Sequence, residues 1–425
     1  MSAAPSRLRP SAPTPVHRSA LRERPAAGLR AGSRRADRAA PARRSPLRRW
    51  RPSRADRDVL WLYLLSRAGV WATAYCARWL FPADRDARRP APVLSTFEQW
   101  DWGHYLRIAR EGYFPGSAGP WQSGWDNREA FFPGFPLTLR AVHAVVPSWT
   151  AAGLLISFAA GAVAVLALAR IARLHLPETI ADRRAVLLLL CSPCAVFLAV
   201  GYTEALFLAL ALPAWLAAQR GDWRLAAILT ALATTVRVSG LFLAAAVALH
   251  FLLTARADRR WRAWPWLALP ALPVAAFTGF LHARTGDWMA WQHAQERGWY
   301  RAFHPPWETW ANTWRDAFDR TRTTDYAFMF QAELAALAVG VLLCGLLLLR
   351  RRWPEALYVG LSLCALGTSY WYTSIPRATL LWWPLWIALA GWSLRGPRFL
   401  VAHLCLAAPV TTVFALAFFT GRWAG

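Results

Sequence analysis

The sequence predicts an all-α polytopic membrane protein with about 10–12 transmembrane helices. Three observations predict it. Hydrophobic residues make up 56% of the 425 and charged ones only 17%, against roughly 25% charged in soluble domains. The apolar residues come in recurring runs, several as long as the about 20 residues that cross a hydrocarbon core; the run 151–169 holds no charge at all. Finally, the basic charge is gathered at one end and between the runs, as in chains oriented by their cytoplasmic arginines.

Residues 1–57 contain 16 Arg against Glu23, Asp37 and Asp56, a net of +13 out of the chain's +25. This Arg-, Ala-, Pro- and Ser-rich segment has too few large apolar residues to offset its ordering entropy, so it reads as a disordered tail. It is too long and too basic for a signal peptide and has no small-residue cleavage site. A cytoplasmic tail that orients the first span is the simpler reading, with anionic headgroups as its natural contact. The same location removes the case for nucleic acid as a partner. All 49 basic residues are Arg, a bias that with abundant Ala points to a GC-rich, bacterial genome.

Residues 58–420 form the multi-span domain. A first span at 58–81 leads into a polar stretch, 82–130, with six Arg against seven acids. Apolar segments follow near 131–147, 149–169, 185–200, 202–219, 225–236, 241–255 and 263–283. A second polar stretch, 284–325, balances six Arg against six acids, and four apolar segments close the chain near 326–350, 356–372, 378–393 and 401–420. With the basic tail inside, both long stretches become outer loops on one face. Strict alternation then needs 131–147, with Pro133, Pro136 and Pro147, to be re-entrant or only partly inserted, a course tolerated where protein or water lines the backbone.

The first outer loop carries Trp100-Asp101-Trp102-Gly103-His104-Tyr105. Apolar walls raise the proton affinity of a carboxylate, which suits Asp101 to accept a proton from a hydroxyl. Equally, Asp101 can cap a helix that starts at Trp102. The residues leave both readings open. Ionisable groups at membrane depth cost about 2.5–3.5 kcal/mol each, and three stand out on the outer side: Glu204 in Tyr202-Thr203-Glu204, Arg237 before Ser239-Gly240, and Arg377 in Ser374-Ile375-Pro376-Arg377. A guanidinium grips phosphate oxygens in a bidentate fork. The alternatives are that Glu204 pairs with Arg237 and that Arg377 snorkels to the interface.

Other constellations carry less. Cys191-Ser-Pro-Cys194 has C-x-x-C spacing but lies in an apolar run, where small buried residues account for it. His282, His293 and His304 fit no zinc spacing. No residues are assigned to a metal, and no Gly-rich phosphate loop is present.

The first-loop residues, with Ile108-Ala109 and Gly112-Tyr113, resemble the signature of PIG-V-like mannosyltransferases. These are C-type glycosyltransferases, polytopic enzymes that use polyprenyl-phosphate sugars. In order along 58–420, Phe131-Phe132-Pro133-Gly134-Phe135-Pro136, Tyr202-Thr203-Glu204-Ala205-Leu206-Phe207, Arg237-Val238-Ser239-Gly240 and Ser374-Ile375-Pro376-Arg377 resemble four further motifs of that family. Val238 stands where a proline is usual, and Ala378 where a tyrosine is.

The resemblance implies C-type glycosyltransferase architecture and inverting transfer of a hexose, mannose or another, from a polyprenyl-phosphate donor. The acceptor would be a hydroxyl on a lipid, glycan or protein. It implies Asp101 as general base, Arg237 and Arg377 as partners of the lipid phosphate, and Trp100, Trp102 and Tyr105 around the acceptor, with His104, Tyr202 and Glu204 completing the site. A lipid-linked sugar is the only cosubstrate implied, and a divalent metal is left open. Location in the plasma membrane, a cytoplasmic N-terminus and an extracytoplasmic active site go with it. A transporter or flippase for lipid-linked sugars, or a non-catalytic subunit of a membrane glycosyltransferase complex, are the alternatives.

Overall fold

Ser53 opens the first helix with a reciprocal cap: its hydroxyl accepts the Asp56 amide at 3.1 Å while Asp56 accepts the Ser53 amide at 3.2 Å. The computed structural model describes residues 53–81, 92–115, 126–258 and 261–425. Residues 1–52 of the expected tail, and 82–91 and 116–125 of the expected first outer loop, lie outside the described residues. The tail was expected to reach residue 57, but the helix begins at Arg54, because Ser53 and Asp56 supply its cap.

Every regular element among the described residues is helical. In order they are α1 (Arg54–Leu80), α2 (Trp102–Glu111), α3 (Gly134–His143), α4 (Trp149–His175), α5 (Ala181–Leu190), α6 (Thr203–Gln219), α7 (Trp223–Val236) and α8 (Ser239–Asp258). The second half contains α9 (Ala271–Thr285), α10 (Ala290–Trp299), α11 (Pro306–Phe318), α12 (Thr324–Leu349), α13 (Trp353–Leu366), α14 (Ile375–Ala378), α15 (Trp383–Leu394) and α16 (Pro397–Phe419). Local chemistry sets many ends. The Ser148 hydroxyl and the Asp222 carboxylate accept first-turn amides of α4 and α7. Proline stands in the first turn of α11, α13, α14, α15 and α16, where its missing N–H costs nothing.

The chain is an integral membrane protein of all-α, polytopic type. Four described stretches are long and apolar enough to cross a membrane: Trp149–His175, Trp261–Thr285, Thr324–Leu349 and Pro397–Phe419. Thr203–Gln219, Trp223–Val236, Ser239–Thr254 and Trp353–Leu366 are apolar but shorter. The apolar segments of the sequence are therefore not all unbroken helices. The run near 185–200 stops at Leu190 and passes through Pro193 before α6. The run near 356–372 stops at Leu366, and the next, near 378–393, follows the four-residue α14 and opens with a tight turn at Thr379–Leu381 before α15 begins at Trp383. At 10 residues α3 rises about 15 Å, half of a hydrocarbon core, so 131–147 does not cross as one helix.

Around the perimeter, large apolar side chains such as Leu342, Leu349 and Leu406 stay exposed, as a lipid-facing surface requires. One end is tied by charge. Arg173 of α4 reaches Asp56 of α1 at 2.9 Å and Asp182 of α5 at 2.6 Å. The helix breaks lie elsewhere: the stretches before α6, between α7 and α8, and around α14 all contribute walls to one cavity. Irregular backbone at membrane depth is tolerated where it lines such a space.

Candidate active site

The cavity measures about 720 Å³, and Trp100, Asp101, Tyr105, Tyr202, Arg237 and Arg377 lie along its wall. These residues are far apart in sequence, and four charged groups bind them together. Glu204, wholly buried in the first turn of α6, accepts through Oε1 from Arg237 Nη1 at 2.6 Å and from Arg377 Nε. Arg377 Nη1 donates to Asp101 Oδ2 at 2.7 Å. The result is a chain, Arg237–Glu204–Arg377–Asp101, running from α7 through α6 and α14 to the turn before α2.

Each member is aimed by its backbone. Asp101 follows Trp100, whose φ of 50° is left-handed and strained for a bulky residue; the Trp100 indole N–H donates to the Arg422 carbonyl at 3.0 Å, which holds the turn. Asp101 already has helical angles, and its side chain makes no cap to α2. The capping alternative does not hold: the carboxylate points to Arg377. Arg237 ends α7 in an extended conformation, with Nη1 also donating to the Thr203 hydroxyl at 2.6 Å. Arg377 sits in α14, with its guanidinium over the rings of Phe197 at 4.6 Å and Tyr202 at 4.8 Å. It is buried, at 7% exposure, and does not snorkel to an interface. Tyr202 is fixed in turn by donating its hydroxyl to the Gln99 carbonyl at 2.6 Å.

Burial pushes the Asp101 carboxyl up, as its tryptophan neighbours suggested, but the Arg377 guanidinium outweighs burial and holds it below the usual carboxylate range. The expected rise in proton affinity is thus reversed, because a cation 2.7 Å away was not visible in the loop sequence. Burial lowers His104 and raises Tyr105, so at neutral pH the first is uncharged and the second stays protonated.

Three of the expected residues are not on the cavity wall. Trp102 is 2% exposed and fills a slot between α4 and the stretch before α6; a Cβ on Gly153 or Gly201 would come within 2.6 Å of its ring. It anchors the Asp101 turn from behind. His104 stacks on Phe131 at 4.8 Å and approaches Trp299 at 5.6 Å. Glu204 lies beneath the wall and acts through the two arginines.

Two relevant groups escaped the sequence reading. Glu333 of α12 is wholly buried and accepts the amides of Ser374 at 2.7 Å and Ile375 at 2.8 Å. It thereby caps α14, whose Ser374 is left-handed with φ 67°, and aims Arg377. Its signal was an acid inside the apolar run 326–350, the same argument that flagged Glu204. Arg301 lines the cavity from the segment between α10 and α11; in a charge-balanced stretch beside aromatic residues, it had no such signal. Among the described residues no three His, Cys, Asp or Glu side chains gather as a metal site would require. Cys194 is buried against the Ala424 carbonyl, and both cysteines of the C-x-x-C are free thiols.

Residues 90–257 match the model of the mannosyltransferase (PIG-V) family. The GPI alpha-1,6-mannosyltransferase 2 of Mus musculus is 34% identical over 196 residues, 43% of this chain and 36% of that protein. The Homo sapiens protein of the same name is 35% identical over 163 residues, 35% of this chain and 30% of its own length. The matches thus span about a third of the length of these curated relatives. The matched region holds Asp101, Glu204 and Arg237, three of the four linked charges, and over that region the chain is similar to the PIG-V mannosyltransferases.

Proposed function

We propose that this protein is an inverting glycosyltransferase that moves a hexose, mannose by analogy with its relatives' names, from a polyprenyl-phosphate donor to an acceptor hydroxyl. The observation that carries the reading is the placement of Asp101. It is a carboxylate free of any capping role, on the wall of a cavity about 720 Å³ in volume, beside arginines and aromatic rings. That volume admits a hexosyl phosphate together with an acceptor hydroxyl.

In the proposed reaction the acceptor oxygen attacks the sugar's anomeric carbon opposite the phosphate. The new glycosidic bond forms as the carbon–phosphate oxygen bond breaks, through an oxocarbenium-like transition state. The acceptor's proton passes to Asp101, and the leaving group departs as polyprenyl phosphate. Asp101 is ionised beforehand because Arg377 holds it so. As it takes up the proton its attraction for Arg377 falls, which frees positive charge toward the departing phosphate at the moment negative charge develops there. Tyr105 and Tyr202 shape the space beside Asp101. The charge bias of the loops supports an extracytoplasmic site in the plasma membrane, with the N-terminus in the cytoplasm.

The test is reconstitution of the purified chain in liposomes with labelled polyprenyl-phosphate mannose and a panel of lipid, glycan and peptide hydroxyl acceptors. Transfer of label with inverted anomeric configuration is the expected result. Movement of intact donor across the bilayer without transfer would establish the flippase alternative instead.

A further inference from the structure

Arg237 and Arg377 both face the cavity with their charge already committed to Glu204 and Asp101. Glu333 is engaged by two backbone amides. Arg301 differs. Its side chain lines the same cavity, its Nε is buried without a partner, and among the described residues no carboxylate oxygen lies within 4.0 Å of its guanidinium.

The backbone around Arg301 is nevertheless firmly held. α10 ends at Tyr300 in a left-handed conformation, φ 55° and ψ 36°, which a tyrosine adopts only when its surroundings enforce it. The Tyr300 carbonyl accepts the Tyr370 amide at 3.2 Å, and the Arg301 carbonyl accepts Gln292 Nε2 at 3.1 Å. Three residues on, the His304 amide donates to the Thr368 carbonyl at 2.8 Å. Burial, with Arg237 and Arg377 nearby, brings the Arg301 guanidinium down to about 10 against the opposing pull of the Asp101 and Glu333 carboxylates, so it remains charged at neutral pH. A partly buried cation whose nearest carboxylates, Asp101 and Glu333, act on it only from beyond ion-pair distance is destabilising. Holding one rigidly in a cavity makes sense where a bound anion completes it.

We infer that Arg301 is the phosphate-binding residue of the cavity, contacting the anionic phosphate of the lipid-linked donor while Arg237 and Arg377 organise Glu204 and Asp101. The inference rests on the glycosyltransferase reading above and reassigns the direct phosphate contact within it. Tyr300 and Phe303 line the same cavity and are 60% and 76% exposed, which gives the isoprenoid an apolar rim beside the cation.

The experiment uses the full chain in lipid nanodiscs. It compares binding of a short-chain polyprenyl phosphate with the corresponding polyprenol, and follows thermal unfolding without ligand. Wild type should prefer the phosphate. Arg301→Gln should lose about tenfold to hundredfold of that preference, and Arg301→Lys should keep part of it. Neither substitution leaves a carboxylate unpaired, so unliganded thermal stability should hold or rise. Excess inorganic phosphate should not displace the lipid; displacement would mark a site for free phosphate and overturn the inference. So would an Arg301→Gln protein that keeps the full preference, or one that loses unliganded stability as a structural arginine would. A wild type that binds phosphate and alcohol alike refutes the donor reading itself, which is a different failure.

Discussion

Replacing Glu204 by Gln should leave two guanidinium groups with one carboxylate between them. Glu204 is 0% exposed and serves both Arg237 and Arg377. In the variant, Arg377 keeps Asp101 at 2.7 Å, whereas Arg237 keeps only the Thr203 hydroxyl at 2.6 Å. Breaking a buried pair from one side costs about 3–5 kcal/mol. The Arg237 side chain is 24% exposed, so hydration recovers part of this and puts the expected loss near the lower end, about 3 kcal/mol. Adding Arg237→Leu removes the stranded cation. The double variant should therefore be more stable than the sum of the single losses predicts, by on the order of 1–2 kcal/mol. The assay is reversible unfolding by SDS titration in mixed micelles for wild type, both single variants and the double. Losses that add to within about 0.5 kcal/mol would refute the coupling, and with it the account of Glu204 as the hub of the charge chain.

Other expectations follow from the same geometry. Gly201→Ala places a Cβ 2.6 Å from the Trp102 ring, which should cost about 1–3 kcal/mol in unfolding assays and lower transfer by shifting the neighbouring Asp101. Glu333→Gln removes one of the two oxygens that receive the Ser374 and Ile375 amides; a loss of about 1–3 kcal/mol, together with weakened transfer, is expected, and an unchanged protein would show that α14 is placed by other contacts. Because Asp101 is held below its ordinary value of about 3.9, its contribution to stability is complete above that pH and is lost as pH falls through the lowered value. Asp101→Asn should flatten this acid limb of a stability–pH profile, and an identical limb in the variant would contradict the ion pair.

The fold class was legible because lipid imposes composition directly: apolar runs and segregated arginines need no tertiary knowledge. The four linked charges were also flagged individually: Glu204, Arg237 and Arg377 because a charge inside an apolar run calls for a partner, and Asp101 because two tryptophans flank it; the pairing of Glu204 with Arg237 was among the alternatives. What the sequence could not convey was who shares whom. Asp101 and Arg377 are 276 positions apart, and the ion pair between them reversed the shift that the flanking tryptophans implied. Trp100 and Trp102 look equivalent in the motif, yet one borders the cavity and the other fills a slot that exists only because Gly153 and Gly201 face each other across two elements. Arg301 was hidden for the opposite reason. Its importance lies in lacking a counterion at ion-pair distance, and a missing contact leaves no local pattern.

The central claim is that Asp101 receives the acceptor's proton, and turnover of Asp101→Asn tests it most directly. The substitution leaves Arg377 its contact with Glu204, so the protein should insert and purify normally, with an unfolding midpoint at neutral pH lowered only by the loss of one ion pair. Transfer from labelled polyprenyl-phosphate mannose, measured per folded molecule, should fall about 10²- to 10⁴-fold. Wild-type turnover in the folded Asp101→Asn protein would contradict the account.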